Sequence, residues 1–474
     1  MLKYYWYIST FFRKHGILVL TTIIGAVLLF SFAFPLLLRT FEFKKRSYVG
    51  VVGHYTLTNL PPNIQSEISS GLTRLSDDGT AVPDLSERWT VEDDGKTYRF
   101  VIKKNIYWQD GKELVPSAVN YNFNNVQLIT TPNDVVFKLQ DNYSPFPIVV
   151  SQPLFRYTNE TYLFFFKRPK LIGTGPFQVL DYKEENARLT ELVLSGPNEI
   201  KTYRFYLTED DAFSAFKRGE VDILPNLSSK GDLESWNTVT ITPKLDKQSY
   251  LGVFFNTSDP LFSANEFRVA LNYAVQKPAD DTRAYGPISP TSWAYSNVGK
   301  PYDYDIDRAS ERLLAALKNF VTPIHFELVT TPIYASEAES IKESWVALGN
   351  KAADQCQADT TIKDKTNCQN LRMNIDIRIT NFPDTNNFQA MLVGEESPVD
   401  PDQYNLWHSN QPTNFTNYSN TRIDKLLEDG RQIEDQKKRF ETYQEFQQFF
   451  SEDAPVIFIR HLMKFDIARK GKSQ

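Results

Sequence analysis

Carboxylates, histidines, cysteines and aromatics are the residues of this chain whose types could do chemistry. Three acids, Glu395, Glu396 and Asp400, crowd the segment GEESPVDPDQY (394–404), directly after the strand-like run FQAMLV (388–393). At a strand end, Glu395 and Glu396 form either a solvated acidic turn or carboxylates that face a cleft. Trp407 and His408 follow the Asp-Pro-Asp turn, and Tyr250 precedes the apolar run LGVFFN. Each of these reads either as core packing or as the wall of a pocket. The five histidines, His15, His54, His325, His408 and His461, are scattered. No His-Glu-x-x-His, Gly-x-Ser-x-Gly or Walker loop accompanies them. A nucleophile, a base and an orienting group therefore cannot be assembled, and the chain reads as a non-enzyme without cofactor or metal.

Cys356 and Cys368 bracket the polar segment CQADTTIKDKTNC and lack zinc-ligand spacing. They read either as a surface loop closed by a disulfide or as two free thiols. An oxidising location outside the cytoplasm favours the bridge.

Alternating short strands and turns must position these groups. TVEDDGKTYRFVI, ending at Ile102, has two period-2 runs around Asp-Asp-Gly and predicts a hairpin. YRFYLT from Tyr203 predicts a strand, Glu209-Asp210-Asp211 an acidic helix start, Gly219 its stop and VDIL a second strand. That β–α–β order implies parallel strands. Thr421–Phe450 predicts one long amphipathic helical region with Ile423, Leu426 and Leu427 on one face, followed by a buried strand, PVIFI, from Pro455. The fold class is mixed α/β.

Gly16–Leu38 carries no charge. At about 1.5 Å per residue it spans roughly 35 Å, enough for a hydrocarbon core with some tilt. No small-residue cleavage site or lipoprotein cysteine follows it, so the stretch predicts an uncleaved transmembrane anchor rather than a removed leader. Residues 1–15 then lie in the cytoplasm and 39–47 form a short linker. Basic residues flank the span on both sides (Lys3, Arg13 and Lys14; Arg39, Lys44, Lys45 and Arg46), so the positive-inside rule alone does not orient it.

Of the net charge of −6, residues 1–48 contribute +6 from seven basic residues and Glu42, which leaves −12 for the rest. Such a body repels phosphate backbones, and nucleic acid is excluded as a partner. The 34 Phe and 24 Tyr fit large β-rich cores, of which a pocket would use only a few.

Several segments, taken in order, resemble the family-5 extracellular solute-binding proteins of ABC importers, the oligopeptide- and dipeptide-binding group. They begin with SEISSGLTRLSDDGTAVPDLSERWTVEDDGKTYRFVIKKNIYWQDGKEL (66–114), VVFKLQDNYSPFPIVVSQPLF (135–155) and GTGPFQVLDY (173–182). FSAFKRGEVDIL (213–224), YLGVFFNTSDPLFSANEFRVALNYAV (250–275) and YDYDIDRASERLLAAL (302–317) continue the series, which closes with residues 417–459. Two departures stand out. Pro116-Ser117-Ala118-Val119 replaces the family's usual Ala-x-Asp-Val helix start, and Ser397 stands about where peptide binders present an acid.

The resemblance implies an enlarged type II periplasmic-binding-protein fold of two lobes and three subdomains. It places a first lobe at 48–245 with a subdomain near 86–160, a second lobe at 246–455, and a return to the first lobe at 456–474. It implies a monomer, outside the cytoplasmic membrane on its single-pass anchor, that captures a peptide between its lobes and hands it to an ABC permease. Backbone groups on the cleft walls would bond an extended peptide and aromatics would cover its side chains. A carboxylate would pair with its amine, with Glu396 and then Glu395 nearest to the absent acid, and Asp400, Tyr250, Trp407 and His408 near the ligand. A surface receptor or chaperone-like peptide binder on the same fold is the alternative.

Overall fold

The structure is a computed structural model that describes residues 2–29, 44–162, 166–362 and 365–471. A helix, Leu2–Leu28, opens the chain and includes most of the expected cytoplasmic segment. Residues 30–38 of the expected anchor lie outside the described residues. Among those described, no helix is long and apolar enough to cross a membrane.

The first strand, β1 (Lys45–Val52), takes in the end of the expected linker. β2 (Thr73–Leu75) and β3 (Ala81–Pro83) form a short ribbon. β4 (Ser86–Glu92), β5 (Thr97–Ile102), β6 (Val126–Thr130) and β7 (Asp134–Leu139) make an antiparallel sheet of order β4-β5-β7-β6. The predicted hairpin is its β4–β5 turn, closed by Glu92 opposite Thr97, with Asp93, Asp94 and Gly95 all at positive φ. Tyr98, Phe100, Phe137 and Phe146 pack beneath this sheet. The Pro116–Ala118 departure is a single 3-10 turn with no side-chain cap.

β8 (Arg156–Tyr162) and β9 (Phe166–Ile172) form a second ribbon. β10 (Gln178–Glu185), β11 (Arg188–Ser195), β12 (Glu199–Tyr206), β13 (Ile223–Leu227) and β14 (Val239–Phe255) follow. β15 (His325–Thr330), β16 (Asn374–Ile379), β17 (Ala390–Glu396) and β18 (Val456–Arg469) complete the set. The large sheet runs β10-β11-β12-β1-β13-β18-β14-β17-β15-β16. β12 and β13 are parallel as the β–α–β pattern predicts, but each pairs with β1, which lies between them. The connecting helix, Glu209–Arg218, starts where Thr208 Oγ accepts the Asp211 N–H and stops at Gly219 in the left-handed region.

β14 and β18 run side by side along the sheet. The register of β14 jumps between Asp246 and Tyr250, across the polar residues Lys247, Gln248 and Ser249. Before the jump β14 is partly exposed; after it, Tyr250–Phe255 is buried on both faces, which explains the continuous apolar run. Leu251, Val253 and Phe255 meet the helices Asn265–Ala274 and Ala335–Ala358 around Trp345. Tyr250 and Phe254 face Trp407, Phe450 and Phe458 on the other side.

The single helical region expected over Thr421–Phe450 is corrected. The Thr421–Phe450 region is two helices, Thr421–Gln432 and Gln436–Asp453, because Asp435 caps the second by accepting the Lys438 N–H. The disulfide joins Cys356 to Cys368 with Cα atoms 5.5 Å apart and closes a largely exposed polar loop, the first of the two sequence readings, while the two cysteines themselves are fully buried against the Trp345 core. Closing a loop of this size contributes about 3 kcal/mol in the chain-entropy model. Replacing both cysteines by alanine should lower the unfolding free energy in denaturant by about that amount. An unchanged midpoint would mean that the bridge does not form.

Candidate functional site

The loop between the last two helices lies against the first half of the chain. Tyr98 Oη lies 2.7 Å from Glu434 Oε1, the Ser144 N–H donates to the Arg431 carbonyl at 2.7 Å, and the Trp293 N–H donates to the Asp78 carbonyl at 3.0 Å. Arg431 Nε donates to Asp402 Oδ2 at 2.8 Å, and its guanidinium lies over the Tyr143 and Tyr404 rings. Burial raises the Glu434 carboxyl above its ordinary value, while the Tyr98 hydrogen bond pulls the other way.

Between these contacts is a cavity of about 180 Å³, lined by Thr80, Trp89 and Ile148 from one side and by Trp293, Glu434 and Arg439 from the other. A drug-sized ligand takes roughly 300 Å³ or more, so this space admits one side chain and not a whole peptide. Asp400, also on the lining, is held by Arg439, whose Nη1 donates to Oδ2 at 2.9 Å and whose Nε donates to the Gly430 carbonyl at 2.7 Å.

The residues singled out in the sequence fall into two groups. Trp407 is buried, its Nε1 donating to Gln403 Oε1 at 3.2 Å, with Phe450 edge-on to its ring. His408 is buried and stacked on Tyr404, with Nε2 3.3 Å from Glu428 Oε1. Together with Asp400, these two have their polar groups occupied by neighbours. Glu395 and Tyr250 form the second group, opposite one another across β17 and β14. Burial, and then the Glu396 charge, raises the Glu395 carboxyl. Burial, and then Glu395, pushes the Tyr250 hydroxyl up, and among the described residues that hydroxyl has no hydrogen-bond partner. Glu396, next along β17, is exposed opposite Ser249. Ser397 is buried and donates its N–H to the Gln248 carbonyl at 2.8 Å.

Tyr98, Trp293, Glu434 and Arg439 escaped the sequence reading as site residues, and His461 entered it only as one of five scattered histidines. No local pattern marks them: Tyr98 meets Glu434 across 336 residues, and Arg439 meets Asp400 across 39. Among the described residues no cluster of His, Cys, Asp and Glu could hold a metal.

One sheet continues through two halves of the chain, with a polar seam where those halves meet. The description "Bacterial extracellular solute-binding proteins, family 5 Middle" matches residues 80–133 and 128–398, and the chain belongs to this family. Oligopeptide-binding protein AppA of Bacillus subtilis is 24% identical over 482 residues, covering 87% of this chain and 85% of that protein. The dipeptide-binding protein of Escherichia coli is 24% identical over 469 residues, covering 82% of each. A crystal structure of the nickel ABC transporter from Bacillus halodurans has a TM-score of 0.68 at 15% identity, covering 90% of this chain and 96% of that one. It shares the fold.

Proposed function

We propose that the chain captures a peptide or peptide-like solute between two lobes and delivers it to an ABC permease, with its body held outside the cytoplasmic membrane by residues 16–38. The observation that carries this reading is the crossing of β14 and β18 beside a seam that the described residues close by side chains and a few backbone bonds. The break in the register of β14 against β18 is where hinge closure around a ligand would turn, with no covalent step. The lobes are then 48–245 and 246–455, with 456–474 returning to the first. Two relatives named for peptides support that ligand class over the metal of the structural neighbour. On this reading Glu395, Glu396, Asp400, Tyr250, Trp407 and His408 lie at or beside the ligand. The anchor draws support from Ile17, Leu18, Leu20, Ile24 and Val27, which are at least half exposed on the first helix and gain from an apolar surrounding.

The full chain, taken from membranes in detergent, should retain peptides from a chymotryptic digest of casein, identified by mass spectrometry. If no peptide is retained, the ligand class is wrong. If the chain leaves the membranes in alkaline carbonate without detergent, the anchor is wrong.

A further inference from the structure

The helix Thr421–Gln432 ends, like any α-helix, on carbonyls that its own last turn cannot pair. The first half of the chain supplies donors to them. The Ser144 N–H donates to the Arg431 carbonyl at 2.7 Å, and Asn142 Nδ2 donates to the Gln432 carbonyl at 3.3 Å. Ser144 Oγ lies 3.5 Å from the Gly430 carbonyl oxygen. In the loop that follows, Glu434 Oε1 accepts the Tyr98 hydroxyl at 2.7 Å. Gly95 leaves room for that carboxylate, since a Cβ there would lie 2.9 Å from Glu434 Oε1. The four-stranded sheet and the segment after it thus cap a helix that belongs to the other half.

Tyr98 is placed to change partners. Its ring is fully buried beneath the four-stranded sheet, 5.0 Å from the Phe146 ring, so the hydroxyl is held in position. The single phenol proton has two acceptors in reach: Glu434 Oε1, and the Tyr143 carbonyl of its own half at 3.0 Å. When Glu434 leaves the notch the proton turns to Tyr143, and no buried donor is stranded. Glu434 keeps contact with solvent and turns to water. Both arrangements are satisfied, as a contact that opens and closes requires. Neither Tyr98 nor Glu434 belongs to the large sheet that carries β14 and β18, so the halves meet here independently of the crossing strands.

We propose that residues 430–434 and the four-stranded sheet form a clasp that shuts the two halves on each other before solute arrives, so that its opening gates both entry and exit. Its contacts run from protein atom to protein atom and can form without a ligand. The same bonds hold the shut state filled or empty, so the clasp stabilises both equally. Weakening it therefore speeds entry and exit together and leaves the balance between free and captured solute nearly level. Loss of a contact to the ligand itself would instead speed exit and weaken capture. The clasp presupposes the two-lobe reading of solute capture given above.

Lys138 on β7 and Lys437 in the last helix are exposed, one on each side of the clasp. Both native cysteines are bridged and buried, so Lys138→Cys and Lys437→Cys alone take nitroxide labels. Electron-resonance distance measurement on the full chain in detergent should give one dominant short distance without peptide. Tyr98→Phe keeps the ring and removes the proton, and should lower the ratio of short to long distances about fivefold. Glu434→Ala should match it, and the double variant should add little, because the pair shares one bond. Glu434→Ala alters a side chain in contact with solvent, so it carries the test if Tyr98→Phe fails to fold. Peptides retained from the chymotryptic casein digest should leave either variant about fivefold faster, with the amount held at equilibrium level with the parent's. A long or broad distance in the empty parent overturns the clasp, as does an unchanged ratio in the folded variants. A drop in the amount held, with distances unchanged, makes Glu434 a ligand contact and overturns it too. If parent and variants hold no casein peptide, peptide capture falls, and the distances in the empty chain still decide the clasp.

Discussion

Arg439→Met is expected to destabilise the protein by about 3–5 kcal/mol, the range for breaking a buried ion pair by removing one partner. The Arg439 and Asp400 side chains are only 7% and 9% exposed, so the orphaned carboxylate would have little water to turn to. The Gly430 carbonyl would lose its donor in the same step, and the guanidinium would no longer cover the Trp293 and Tyr443 rings. Adding Asp400→Asn removes the stranded charge and should recover most of the loss. Urea unfolding of the two single variants and the double variant gives the coupling directly. A loss below about 1 kcal/mol for Arg439→Met would show that the site is wetter than its burial implies.

Gly173→Ala should cost about 3 kcal/mol, at the upper end of what overpacking usually does. An added Cβ would come within 2.0 Å of the Ile68 carbonyl oxygen, which is backbone at the end of the Pro62–Ile68 helix and cannot swing aside. The contact is fixed from both sides. Gln109 Nε2 donates to the Ile68 and Gly175 carbonyls at 3.0 Å, and Gln109 Oε1 accepts the Gly173 N–H at 3.0 Å. Gly286→Ala is the control, since nothing lies within 4 Å of a Cβ there. If both variants melt at the same temperature, the close approach at Gly173 is not what the GTGPF segment requires.

Gly173 also shows what kind of information the sequence carries openly. The GTGPF motif, the Asp-Asp-Gly hairpin and the Thr208-to-Gly219 helix are local, and their turn residues and caps announce them. The family resemblance rests on such segments in order, and the match over residues 80–398 agrees with it. Pairings between distant strands left no such trace. β1 enters between β12 and β13 although it precedes β12 by well over a hundred residues. Nothing around Asp400 points to Arg439, and His461 drew notice only as one of five scattered histidines. Cys356 and Cys368 illustrate a different loss. The polar residues between them describe the outside of the loop, while the sulfurs belong to the core beneath it.

The position of β18 bears on how the protein is made. It is the last strand in sequence, yet it lies in the interior of the large sheet, between β13 and β14. Without it the sheet falls into two pieces, β10-β11-β12-β1-β13 and β14-β17-β15-β16, each with an unpaired edge at the break. Synthesis from the N-terminus therefore supplies the middle of the sheet last. The two pieces stay unjoined while residues 456–469 are still on the ribosome or in a secretion channel. Release of this segment is the step that joins the two pieces into one sheet. By the same logic, a protease that trims past Arg469 into β18 undoes both halves at once.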